Sequence, residues 1–251
     1  MTTPGLSPTR VEWLRVLRTH RLLGTVLVFA VLGLSQPVFL RYAAQIMARV
    51  GGGGVSMSFP QPTAPLALSA YLGQAAQLGA LLAAWVTIAA CSLDATYPLA
   101  CYYRTRQPSG PRLLAPRLAV SLLTAVAAYV VGWACAGYQT AVLIGGLDAT
   151  LLARALIGGA AYLTLAVALA AAVATWLRRP LPALGIMAAL LLVGLPLLAA
   201  IPAAARWAPG ALLTAASGWA DLAPPLTGTL LAATAFVGLA WYGAHRGRPR
   251  R

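Results

Sequence analysis

A chain of 251 residues that is 60% hydrophobic and 9% charged, with mean hydropathy +0.79, lies far from a soluble domain, where about a quarter of the residues are charged. Its net charge of +14 and pI near 11.0 would suit a nucleic-acid binder, but the basic residues fringe long apolar runs, which points to a membrane and away from nucleic acid. Cys91, Cys101 and Cys135 lack C-x-x-C spacing, and His20 and His245 flank the first and last apolar runs, which leaves no metal or disulfide framework.

The first element is "TRVEWLRVLRTHR", residues 9–21. At 100° per residue Trp13, Leu14, Val16 and Leu17 fall on one side and Glu12, Arg15, Arg18 and Thr19 on the other. The pattern predicts an amphipathic helix on the membrane surface, its arginines toward anionic headgroups and Glu12 paired locally with Arg15. Residues 10–34 have the basic start and apolar run of a signal peptide. The run continues toward Leu40 with no small-residue cleavage site directly after it, so it is expected to remain as an uncleaved first span.

Six apolar segments follow, at about 22–40, 69–92, 117–137, 151–176, 181–201 and 225–243. Each must be helical in lipid, since an open strand would leave backbone groups unpaired. The expected fold is therefore all-α, one polytopic domain over residues 1–251, with Pro37, Pro182 and Pro196 marking kinks or ends. Placing the N-terminus in the cytoplasm puts fourteen arginines inside: 10, 15, 18, 21, 104, 106, 112, 117, 178, 179, 246, 248, 250 and 251. Only Arg41, Arg49, Arg154 and Arg206 stay outside, the asymmetry expected of six spans with both termini cytoplasmic.

The outer loop at 41–68, with Gly51 to Gly54 and then "FPQPTAP", reads as a connector, flexible and then stiff. "CYYRTRQPSGPR", residues 101–112, is a polar island between spans two and three. With its flank from Asp94 it predicts a short cytoplasmic helix lying along the membrane, ended by Pro108 and Pro111, with Arg112 and Arg117 holding the next span's start at the headgroups. The outer loop from Ile201 to Pro225 is apolar but too short to cross, which predicts one or two short re-entrant helices anchored by Trp207 and Trp219.

Chemistry is sparse. The four carboxylates, Glu12, Asp94, Asp148 and Asp221, all map to loops or span ends, which disfavours ion-coupled transport. Ser217 has no histidine within reach in this topology, so no catalytic residue is assigned. The chain has no lysine, so it cannot build a G-x-x-x-x-G-K-[ST] phosphate loop; energy-driven transport would need a motor on another polypeptide.

The chain resembles the membrane-spanning subunits of ABC exporters of the type-2 permease class. The likeness rests on the amphipathic "VEWLRVLRTHR" before span one and "SQPVFLRYAAQIM" at its outer end. It extends to Pro62 and Thr63 followed by Gln77 and Gly79 leading into span two, to the Arg/Pro loop before span three, and to the apolar outer hairpin before span six. The resemblance implies a bacterial plasma-membrane protein in which two permease subunits, identical or not, pair and each docks an ATP-binding-cassette ATPase. ATP would be bound by that partner, with no cofactor in this chain. It implies ATPase contacts at Asp94, Tyr102, Tyr103, Arg104 and Arg106, with the leading helix, Glu12, Trp13, Arg15 and Arg18, as second contact. Two other classes stay open from the residues alone. One is a membrane scaffold without transport; the other is a secondary transporter or intramembrane enzyme, which would need a polar residue at depth such as Gln77, Thr87, Thr124 or Thr164.

Overall fold

Hydrophobic length decides the architecture. The computed structural model describes residues 7–50, 61–92, 110–177, 179–213 and 219–246, and among these the ordered elements are helical throughout. They are α1 (Pro8–Arg18), α2 (Arg21–Val50), α3 (Ala64–Cys91), α4 (Gly110–Leu143), α5 (Ala149–Leu177), α6 (Pro180–Ala200), α7 (Pro202–Ala205) and α8 (Trp219–Arg246). Six of them, α2 to α6 and α8, are long and apolar enough to cross a membrane, which makes the chain a multi-pass helical membrane protein.

Several helices extend beyond the expected spans and run through prolines. α2 runs unbroken through Pro37 to Val50, so Arg41 and Arg49 extend a helix that was expected to end at Leu40. α4 begins at Gly110, with Pro111 in its first turn and Pro116 inside, so residues 110–112 of the polar island already belong to the helix that carries the next span. α8 begins at Trp219 and carries Pro224 and Pro225 within it. Proline early in a helix removes few bonds that the helix would otherwise make, and neighbouring spans supply the rest of the support. Pro182 lies in the first turn of α6; Pro196 comes two residues after a π-turn, Leu190–Gly194, whose wider winding accommodates a ring lacking an N–H.

Between α6 and α8 lie α7 and a 3₁₀ turn, Pro209–Leu213. Leu212 of that turn is buried with Ala161 and Leu222, and Gly158 of α5 leaves room for its carbonyl. Trp207 and Trp219 are both about half exposed, and the Arg154 guanidinium lies 5.7 Å from the Trp219 ring centroid.

α3 and α5 are the most buried spans, and α2, α6 and α8 form the outer layer. Three side chains tie the centre together across helices. Tyr71 of α3 donates its hydroxyl to Tyr129 O (3.1 Å), Tyr129 of α4 donates to Ala155 O (2.6 Å), and Trp133 donates to Leu152 O (3.1 Å). The Tyr71 and Tyr129 rings stack at 5.9 Å, and Phe29 of α2 meets Tyr129 edge-on at 6.2 Å. Glycines create the space for these rings: Gly79 faces Phe29, Gly159 faces the Tyr129 hydroxyl, and Gly33 and Gly132 bring α2 and α4 into backbone contact.

α5 is started by Asp148, whose carboxylate accepts hydrogen bonds from the Thr150 hydroxyl and from Thr150 N (3.3 Å). Those Thr150 bonds, the hydroxyl's first, hold the Asp148 carboxyl below its ordinary value, with Arg154 adding a smaller pull. A depressed pKa means that the cap contributes above the ordinary carboxylate value of about 4 and loses its contribution as pH falls through the folded value. Asp148→Ala is therefore expected to speed amide exchange at Thr150 to Leu152 at neutral pH. At low pH, where wild type is itself protonated, the variant and wild type should converge.

Candidate functional site

One end of the bundle gathers the leading helix and both flanks of the basic loop. Ser7 caps α1, accepting from Arg10 N at 3.4 Å, and Pro8 suits its first turn. The helix ends at Thr19, whose N–H bonds Arg15 O, and His20 adopts φ 54° to turn the chain into α2. Trp13, Leu17 and Arg18 are exposed on α1.

Glu12 is not on an exposed polar face. It is 7% exposed, and its Oε1 lies 3.0 Å from Nε of Arg117, which is itself 4% exposed. Its Oε2 lies 3.5 Å from Arg15 Nη1, so the expected local pair exists but is the longer of two. The expectation that Arg117 reaches the headgroups is corrected in the same way: it points inward, and its Nη1 donates to Ala90 O at 2.8 Å. Arg112, about a turn and a half earlier, is the exposed one. A charge at a span's end snorkels to water only if nothing inside can satisfy it. Here an acid and a carbonyl near the C-terminus of α3 do so.

The consequence is mechanical. Arg117 holds the last turn of α3 through Ala90, sits near the start of α4, and grips α1 through Glu12. The 17 residues from 93 to 109 therefore leave and return between elements that one guanidinium joins. Two further contacts widen the unit. Arg21 at the start of α2 lies 5.7 Å from the centroid of Trp85 on α3, and Gly110 packs against the Ala244 backbone near the end of α8. Trp176 of α5 completes this end, donating to Leu239 O at 3.3 Å and packing on Tyr242.

Of the candidate contacts, Glu12, Trp13, Arg15 and Arg18 share α1, and Glu12 with Arg15 enters the knot. Asp94, Tyr102, Tyr103, Arg104 and Arg106, with the short helix expected there, lie outside the described residues. Arg117 was the missed member. The available signal was its position as the first residue of an apolar run, where an unpaired charge is costly, together with a carboxylate on a helix that must lie at the same membrane face. The candidate polar residues at depth divide. Thr87, Thr124 and Thr164 donate to the carbonyls of Ala83, Val120 and Ala160 in their own helices, whereas Gln77 is exposed.

No model of a known protein family matches the chain, and no curated protein matches it.

Proposed function

We propose that the chain is the transmembrane subunit of an ABC exporter of the type-2 permease class, driven by a separate ATPase that docks on the loop between α3 and α4 at the cytoplasmic face of a bacterial plasma membrane. The observation that carries this reading is the Glu12–Arg117–Ala90 knot. A push on residues 93–109 reaches α3 and α4 at their joined ends and is shared with α1 through a buried ion pair, so the three helices move as one body. In a low-dielectric setting such a pair is stiff, because separating the charges costs more than in water. A rigid-body tilt of helices about a packed centre is one of the standard ways to alternate access. The centre here is the α2–α4 seam at Gly33 and Gly132.

On this reading the arginines of the loop are the motor's handle, with Asp94, Tyr102 and Tyr103 around them. The test is charge reversal: Arg104→Glu with Arg106→Glu should abolish capture of the ATPase from mild detergent while the variant still purifies as a folded, monodisperse species. A folded variant that retains the ATPase and transports normally removes the coupling assignment. The chain's own part is positioning and motion; ATP binding and hydrolysis belong to the partner.

A further inference from the structure

Arg21 opens α2 beside the last turns of α3. Its guanidinium lies over the ring of Trp85, 5.7 Å from the centroid, and Trp85 comes about 9 Å of helix before α3 ends at Cys91. Arg21 is half-buried and Trp85 about half exposed, so the pair sits on the outer surface of the α2–α3 seam, near the depth where hydrocarbon gives way to headgroups. Among the described residues the Arg21 side chain has no ion pair and no hydrogen-bond partner. Glu12 is the one carboxylate among the described residues at this end, and Arg117 and Arg15 already hold its two oxygens. A cation–ring contact uses none of the five N–H donors of a guanidinium, so all of them remain for a second ligand, an anion. Further into the membrane each helix carries an exposed apolar side chain seven residues away, Val28 on α2 and Leu78 on α3, and a Cβ at Gly24 would meet nothing within 4 Å.

We propose that Arg21 and Trp85 form a binding site for one anionic phospholipid of the adjacent leaflet, whose phosphate takes the Arg21 guanidinium and whose acyl chain lies along Val28 and Leu78. A guanidinium presents its donors in a planar fork that matches phosphate geometry, and a partly desolvated one gains more from that pairing than a cation in water. A free phosphate would leave the apolar side chains below uncovered; a lipid covers the charge and those side chains together. Arg18, exposed at the end of α1 three residues before Arg21, adds positive charge and favours a headgroup of net negative charge over a zwitterionic one. Bound there, the lipid bridges α2 and α3 and braces their seam. The inference does not rest on the exporter reading; it uses only the membrane-spanning helices and this one seam.

The test uses the full chain, delipidated in detergent and titrated with phosphatidylglycerol or phosphatidylcholine while bound lipid is counted by native mass spectrometry. The first phosphatidylglycerol should bind at least about tenfold tighter than phosphatidylcholine, and Arg21→Gln should weaken it about tenfold. Arg21→Lys, which keeps the charge but not the fork, should fall between. Trp85→Leu should weaken it about twofold to fivefold. Arg112→Gln and Arg179→Gln, which remove exposed cations at the same end, should each change it by less than about twofold. Equal losses for all three arginine-to-glutamine variants would mean diffuse attraction and overturn the site, as would equal affinity for the two lipids. Inorganic phosphate in large excess should not displace the lipid; displacement would assign the site to a free anion and overturn the lipid reading. In the wild-type chain a photoactivatable phosphatidylglycerol should label the peptides that carry Val28, Leu78 and Trp85. Labelling spread evenly over the six spans would overturn the proposal independently of any variant.

Discussion

Arg117→Met is expected to destabilise the bundle by about 3–5 kcal/mol, because it removes one partner of a buried pair and leaves the Glu12 carboxylate without its nearer cation. Arg15, half-buried and at 3.5 Å, is too far and too solvated to take over. Ala90 O also loses its donor. Replacing both partners, Glu12→Met with Arg117→Met, should recover most of that loss, since the desolvation cost of two charges disappears along with their attraction. The double-mutant cycle, read from reversible unfolding in detergent micelles, separates the two effects: a large coupling energy is expected, and strict additivity would mean that Glu12 and Arg117 do not act as a pair. On the exporter reading the double variant folds but transmits poorly, because α1 is released from α3 and α4.

Gly132→Ala is the second substitution with a large expected effect. A Cβ there would lie 2.5 Å from Phe29 O and 2.5 Å from the Tyr71 hydroxyl, and the first of these is backbone on a facing helix, which cannot rotate away. α2 and α4 must part, at a cost of about 1–3 kcal/mol or more for overpacking, plus weakening of the Tyr71 bond to Tyr129 O. Gly33→Ala should behave alike, because its Cβ would run into Gly132 O. The controls are Gly24→Ala and Gly73→Ala, where an added methyl meets nothing within 4 Å; these should be neutral or slightly stabilising. Tyr71→Phe isolates the hydrogen bond and should cost only about 0.5–1.5 kcal/mol. Thermal unfolding followed by fluorescence, on the same series, orders the variants directly.

The number and place of the spans could be read from the sequence because a hydrocarbon slab imposes a length on every crossing, and apolar runs of that length are hard to disguise. Span ends were harder. Pro37, expected to mark a kink or an end, lies inside α2, and Pro116, Pro224 and Pro225 likewise lie inside helices whose neighbours compensate for the missing donor. The amphipathic pattern of α1 identified a helix but assigned Glu12 to the wrong environment. Periodicity describes an isolated helix at an interface; it takes no account of a distant arginine, Arg117, that needs an anion. Gly33, Gly132 and Tyr129 were equally invisible as a set, since in a chain this rich in alanine and glycine only three-dimensional proximity distinguishes the glycines that ring and backbone press upon from those that face open space.

The most direct measurement is the composition of the complex that the tagged chain carries out of its native membrane in mild detergent, by mass spectrometry and quantitative staining. The exporter reading predicts a P-loop ATPase in stoichiometric amount, released when Arg104 and Arg106 are reversed. A chain that emerges without any ATPase, under conditions that keep a known ABC exporter intact, would contradict it.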